Sequence, residues 1–247
     1  MDKPIKRGRY ARAGLAAALL AGAGAAQADL MLLGPVDMQG TGLGNVNTVL
    51  TIQSPGSSTT ESGSVGLTGT GALAVGGDTL AINQTRTITQ AGATSAANLR
   101  IVFNAQEPGN AAANPITLNN LVLTIFSPTG TPLFTSGPLS GAPLNFSATQ
   151  VGTGNAGFVF GLNAAQSAQA QTAAFSGAGF GSNVIGLSAS ASNATGGPET
   201  FFVTNVGGPG GLPPLVGPIP EPGTVALLAT GLLALGGITR RRKERQD

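Results

Sequence analysis

The sequence predicts a mostly β chain: a single antiparallel β-sandwich, jelly-roll or Ig-like, with one short helix and an apolar helix at each terminus. Three observations carry this. Short runs rich in β-branched residues and Phe recur between clusters of Gly, Pro, Asn and Ser, the pattern of strands separated by turns. Charged residues make up 9% of the chain and hydrophobic residues 41%, whereas soluble domains average about 25% charged. The high net charge that keeps chains unfolded is therefore missing. Finally, the basic residues gather at the two ends, each cluster beside an uncharged apolar stretch.

In chain order, residues 1–28 come first. A basic stretch to Arg12 precedes Ala13–Ala25, thirteen small or apolar residues, and then Ala26-Gln27-Ala28 stands before Asp29. Those are the three regions of a secretory signal helix, with Ala26 and Ala28 forming an A-x-A cleavage site. The apolar core is too short to cross a hydrocarbon layer of about 30 Å. Arg7 and Arg9 are not adjacent, so no twin-arginine signal is read.

The passenger domain is expected over residues 29–206. Its strands are expected at Asn47–Ser54, Thr85–Gln90, Leu99–Asn104, Leu121–Phe126, Gly157–Leu162, Val184–Ser190 and Thr200–Val206. Shorter ones are expected at Gly63–Leu67, Leu73–Ile82, Thr131–Thr135 and Leu144–Ser147. Asn163 and Gln166 have the spacing of a capping box and precede Ser167–Ala174, read as a helix ending near Gly177. No repeat of 20–50 residues is found, which argues against a solenoid or propeller. Residues 55–72 read as flexible, and 207–219 as a Gly/Pro-rich linker.

The tail occupies residues 220–247. Five prolines lie in Leu212–Pro222, an extended spacer that cannot be helical. Val225–Ile238 then carries no charge and only Thr230 as a polar side chain, and Arg240, Arg241, Arg242 and Lys243 follow. Thr224 is the expected N-cap of a single transmembrane helix. Seventeen helical residues reach about 25 Å at ~1.5 Å each, which snorkelling arginines extend. The basic cluster stays cytoplasmic and places the domain outside, the orientation the signal helix also requires.

Charge and composition exclude several functions. Between residues 29 and 219 the only cations are Arg86 and Arg100, against Asp29, Asp37, Glu61, Asp78, Glu107 and Glu199, a net charge of −4. A nucleic-acid binder needs a basic face to neutralise phosphates, so nucleic acid is not an expected partner. The chain has no His and no Cys, which removes triad catalysis, imidazole and thiolate metal sites, and disulfides. No Lys lies between Lys6 and Lys243, so Ser–Lys chemistry is out as well. Paired carboxylates or a calcium site from Asp37, Glu61, Asp78, Glu107 or Glu199 have no supporting motif. The expectation is no catalytic residue, no metal and no cofactor. Thr85-Arg86-Thr87-Ile88-Thr89 is expected to line one strand face with threonines, a solvated edge rather than an ice- or sugar-binding array.

The order Ile219-Pro220-Glu221-Pro222-Gly223-Thr224, apolar segment, Arg240-Arg241-Arg242 resembles the PEP-CTERM sorting signal of Gram-negative exopolysaccharide producers. The same tail is catalogued as an ice-binding protein C-terminal domain. The resemblance covers about 28 residues of the tail. It implies recognition of Pro220, Glu221, Pro222 and Gly223 by exosortase, a membrane-embedded processing enzyme. The precursor would be held in the inner membrane and then delivered to the cell envelope, outer surface or medium. The expected role is structural or adhesive, in association with exopolysaccharide. The alternative is a carbohydrate-binding, lectin-like sandwich.

Overall fold

The computed structural model describes residues 29–37, 46–53, 58–69, 71–77, 81–105, 115–147 and 156–206. The chain divides into two units, Met1–Pro214 and Leu215–Asp247, and only the first contains described residues. The expected signal helix and transmembrane helix lie outside them. Among the described residues no helix is long and apolar enough to cross a membrane.

The fold is mostly β, in two antiparallel sheets. The strands are β1 (Leu30–Asp37), β2 (Asn47–Ile52), β3 (Glu61–Thr68), β4 (Gly71–Gly76), β5 (Arg86–Thr87), β6 (Leu99–Ala105), β7 (Ile116–Phe126), β8 (Pro132–Thr135), β9 (Leu144–Phe146), β10 (Ala156–Leu162), β11 (Val184–Ser192) and β12 (Glu199–Asn205). The first sheet has the order β1-β10-β6-β12-β2. The second runs β4-β3-β11-β7-β8, with β5 also on β11 and β9 also on β7. Among the described residues two short α-helices, α1 (Ile88–Ala91) and α2 (Ala164–Ala174), and two 3-10 turns, Ala96–Asn98 and Phe180–Ser182, accompany the sheets.

Strand alternation turns one face of each sheet inward. From the first sheet come Leu50, Ile52, Ile101, Phe103, Phe158, Phe160, Phe201 and Val203. From the second come Val65, Ile116, Leu118, Leu121, Leu123, Ile125, Leu187 and Ala189, and all of these join one hydrophobic cluster. Phe146 of β9 joins the layers. Its ring lies 4.4 Å from Phe158, 5.6 Å from Phe103 and 6.1 Å from Phe160, centroid to centroid. Phe103 in turn stacks on Phe201 at 4.8 Å. Such pairs add about 0.5–1.5 kcal/mol each beyond area burial.

Several expectations are corrected. Thr85–Gln90 is not a strand: β5 stops at Thr87 and α1 begins. The Thr87 side chain accepts from Gln90 N–H at 3.1 Å, and the Gln90 side-chain Oε1 accepts from Thr87 N–H at 2.8 Å, a capping box that competes successfully with strand geometry. The threonines therefore form no flat array. Residues 55–72 are not uniformly flexible, since 61–68 is β3. The short strand expected at Gly63–Leu67 is the middle of β3, and Gly63 is required there: an added Cβ would sit 2.8 Å from the Gly77 backbone and 3.1 Å from the Ile52 side chain. Leu73–Ile82 shortens to β4. No strand is expected before Asn47, but β1 pairs with β10 from Leu30↔Leu162 onward. Leu30, two residues past the expected cleavage site, is fully buried. Helix α2 starts at Ala164, earlier than read, because Asn163 accepts from Gln166 N–H at 2.9 Å. Its Ala170, its Ala174 and the following Phe175 are buried, closing an end of the core.

Replacing Phe146 by Ala removes the aromatic link between the layers and should cost about 3–5 kcal/mol. Chemical denaturation checks this, with Phe126→Ala, a half-buried ring on the outer face, as the milder comparison.

Candidate functional site

The residues expected to direct sorting all lie outside the described residues: Ala26 and Ala28 at the cleavage site, Pro220, Glu221, Pro222 and Gly223 in the motif, and Arg240, Arg241, Arg242 and Lys243 at the membrane stop. What the structure does place is the surface of the passenger.

The outer face of the second sheet is a field of hydroxyl and amide groups. On β3 and β11 the inward positions Gly63, Val65, Leu187 and Ala189 are buried, so Ser62, Ser64, Ser188 and Ser190 point outward. Register sets Ser188 beside Ser64, and Ser190 between Ser62 and Asn120 of β7. These groups line a shallow open depression of about 240 Å³ with Val75 at its rim. At one end Asn119 donates to Ser192 at 3.1 Å. Toward the other end the Phe126 ring approaches Gly66 and Gly186, where an added Cβ would come within 3.3 Å and 3.0 Å of it. A Cβ at Gly186 would also collide with the Val65 carbonyl oxygen. Sequence reading did not single out these serines, because nothing local announces which strands are neighbours.

Such a face is neutral and can exchange hydrogen bonds with another polar surface. Charged side chains placed among the described residues lie elsewhere. Glu61 and Glu199 point inward and are buried. Arg86 Nε donates to the Thr48 carbonyl at 3.0 Å. Arg100 Nη1 donates to the carbonyls of Ala97 and Leu99 at 2.8 Å each, and burial holds its pKa below the usual arginine value. Both arginines thus bind the backbone of their own domain. Among the described residues no three acidic, His or Cys side chains converge on a metal-sized site, and Asp78 and Glu107 are not among the described residues.

All ten phenylalanines fall among the described residues. Eight are buried and two, Phe126 and Phe180, are half-buried; none is exposed. The exposed large apolar side chains are aliphatic: Leu32, Leu73, Val75 and Ile82. The described surface therefore offers no fully exposed ring on which a sugar could stack.

A two-sheet domain of this kind, followed by a Pro-Glu-Pro tail with an apolar segment and basic end, is the passenger of a sorted precursor. The family description of the PEP-CTERM protein-sorting motif matches residues 218–243. No curated protein and no solved structure matches the chain. The match spans the tail alone, and it makes the chain an exported protein, anchored in the membrane until exosortase processes it.

In the motif Glu221 supplies the single carboxylate between two prolines. A hydrogen bond to a charged group contributes about 1.5–3 kcal/mol. Glu221→Ala should slow tail processing by about tenfold or more, seen as accumulation of full-length precursor in membrane fractions after a pulse-chase.

Proposed function

We propose that this protein is a non-enzymatic passenger that serves as a structural or adhesive component of the cell envelope or of an exopolysaccharide matrix. The observation that carries the reading is the division of labour along the chain. The tail holds the sorting chemistry, while the domain buries eight of its ten phenylalanine rings, leaves none fully exposed, and presents small neutral hydroxyl and amide side chains on the outer face of its second sheet. A hydrated polysaccharide meets such a surface through many weak, exchangeable hydrogen bonds, each contributing about 0.5–1.5 kcal/mol at most. Adhesion of that kind depends on area and copy number more than on one pocket.

The lectin-like alternative rests on the depression lined by Ser62, Ser64, Asn120, Ser188 and Ser190. Sugar sites ordinarily combine polar groups with an aromatic platform, and the absence of exposed rings among the described residues favours the structural reading.

Retention of the processed protein in matrix prepared from the producing cells separates the two. On the structural reading, oligosaccharides released from that matrix elute little of it. Asn120→Ala combined with Ser188→Ala should then change retention by no more than about twofold, because one or two weak contacts are lost among many. Elution by a single oligosaccharide, abolished by the same pair of substitutions, would instead establish the lectin.

A further inference from the structure

We propose that the protein self-associates through β4, pairing antiparallel with the β4 of a second copy so that the second sheet continues across a two-fold axis. The argument starts from the edges of the two sheets. An unpaired edge is a template for another strand, and proteins that remain single blunt their edges with prolines, charges, irregularities or covering segments. Three of the four path-end strands here carry such devices. The β2 edge is occupied by the segment that follows β4: Thr51 N–H donates to Asn83 Oδ1, and Gln84 N–H to the Val49 carbonyl, both at 2.9 Å. In β1, Pro35 lacks a donor and the register shifts between Leu32 and Gly34, while Leu30 also accepts from Ser140 N–H. β8 is four residues long and begins with Pro132.

β4 has none of these. Its sequence, Gly-Ala-Leu-Ala-Val-Gly, contains no proline and no charge, and every residue in it is exposed. Leu73 is 51% and Val75 58% exposed. Among the described residues no strand pairs with its second edge.

The direction of its backbone groups can be read from its neighbours. The Val65 carbonyl faces Gly186 of β11, while the Ser62 carbonyl faces the other way and accepts from Gly77 N–H. Val65 is paired with Ala74, and Leu67 with Ala72. By the alternation of antiparallel ladders, Ala72 and Ala74 then turn N–H and C=O away from β3, toward the open edge. Two copies related by a two-fold satisfy these groups together. Ala72 of each meets Ala74 of the other as a hydrogen-bonded pair, and Leu73 meets Leu73 as the close, non-hydrogen-bonded pair between them.

The occupant is a second copy because the edge is self-complementary. It asks for an uncharged, unprotected strand with small side chains, and β4 itself is the one path-end strand described here that fits. A symmetric contact also turns one exposed Leu73 into a buried pair without leaving a free edge beyond it.

The chain has no cysteine, so Leu73→Cys introduces a unique thiol at the symmetry axis. Non-hydrogen-bonded partners lie about 4.5 Å apart at Cα, within disulfide range. The full-length chain carrying Leu73→Cys should form disulfide-linked dimers under mild oxidation. Adding Ala74→Pro should lower the yield about tenfold, since it deletes an outward donor in each copy and leaves the ladder to β3 intact. Sedimentation of the otherwise native chain should show a dimer that Ala74→Pro alone dissociates. Cross-linking no faster than that of Leu32→Cys, or a yield unchanged by Ala74→Pro, would overturn the proposal. So would a chain that sediments as a monomer throughout, including one that binds only a different protein.

Discussion

Phe146 stands on a three-residue strand of the second sheet with its ring among Phe103, Phe158 and Phe160 of the first, and much else in the domain depends on that contact. The chain has no disulfide to constrain the unfolded state. Among the described residues it has no group of ligands to hold a structural metal. Cohesion between the sheets therefore falls to apolar burial, and aromatic side chains bury the most area per residue. Ten phenylalanines are all the aromatic residues available beyond Tyr10, and eight of them are committed to burial. The core is built first, and the surface is made of what remains.

What remains is Ser, Thr, Asn, Gly and a few aliphatic residues. That explains why the described surface carries a ladder of serines and no fully exposed ring. It also explains why the two arginines bond to backbone carbonyls instead of forming a basic patch. The same economy makes the glycines of β3 and β11 structural. Gly63 admits the close approach of Ile52, and Gly186 leaves room for the Val65 carbonyl of β3 and for the Phe126 ring. A β-strand rich in Gly and Ser is weak on its own propensity; here it is held by neighbours on both sides.

The runs that became β6, β7, β10, β11 and β12 were legible in the sequence because each joins β-branched or aromatic residues to a clear turn. Others were not, for physical reasons. β3 was legible only in its middle, Gly63–Leu67, while residues 55–72 as a whole read as flexible, since Gly63 and Gly66 serve close contacts that only the folded sheet creates. The Thr85–Gln90 segment has strand-like alternation, yet Thr87 and Gln90 lie at capping-box spacing, a signal that was present and went unread. The serine face could not be found at all without the strand order, because Ser62, Ser64, Ser188 and Ser190 come from segments more than a hundred residues apart that register brings side by side. The tail was the reverse case. Its meaning lies in the linear order of Pro220-Glu221-Pro222, the apolar stretch and Arg240-Arg241-Arg242, and needs no tertiary structure to be read.

The two parts of the chain thus answer different questions. The tail carries the sorting signal for export and processing, and the domain carries a face of neutral hydroxyl and amide groups. That account is tested most directly by mass spectrometry of the mature protein isolated from the cells that make it. It predicts a chain whose C-terminus lies near Pro222, with the residues after Thr224 missing. A mature protein that retains its tail through Asp247 would contradict it.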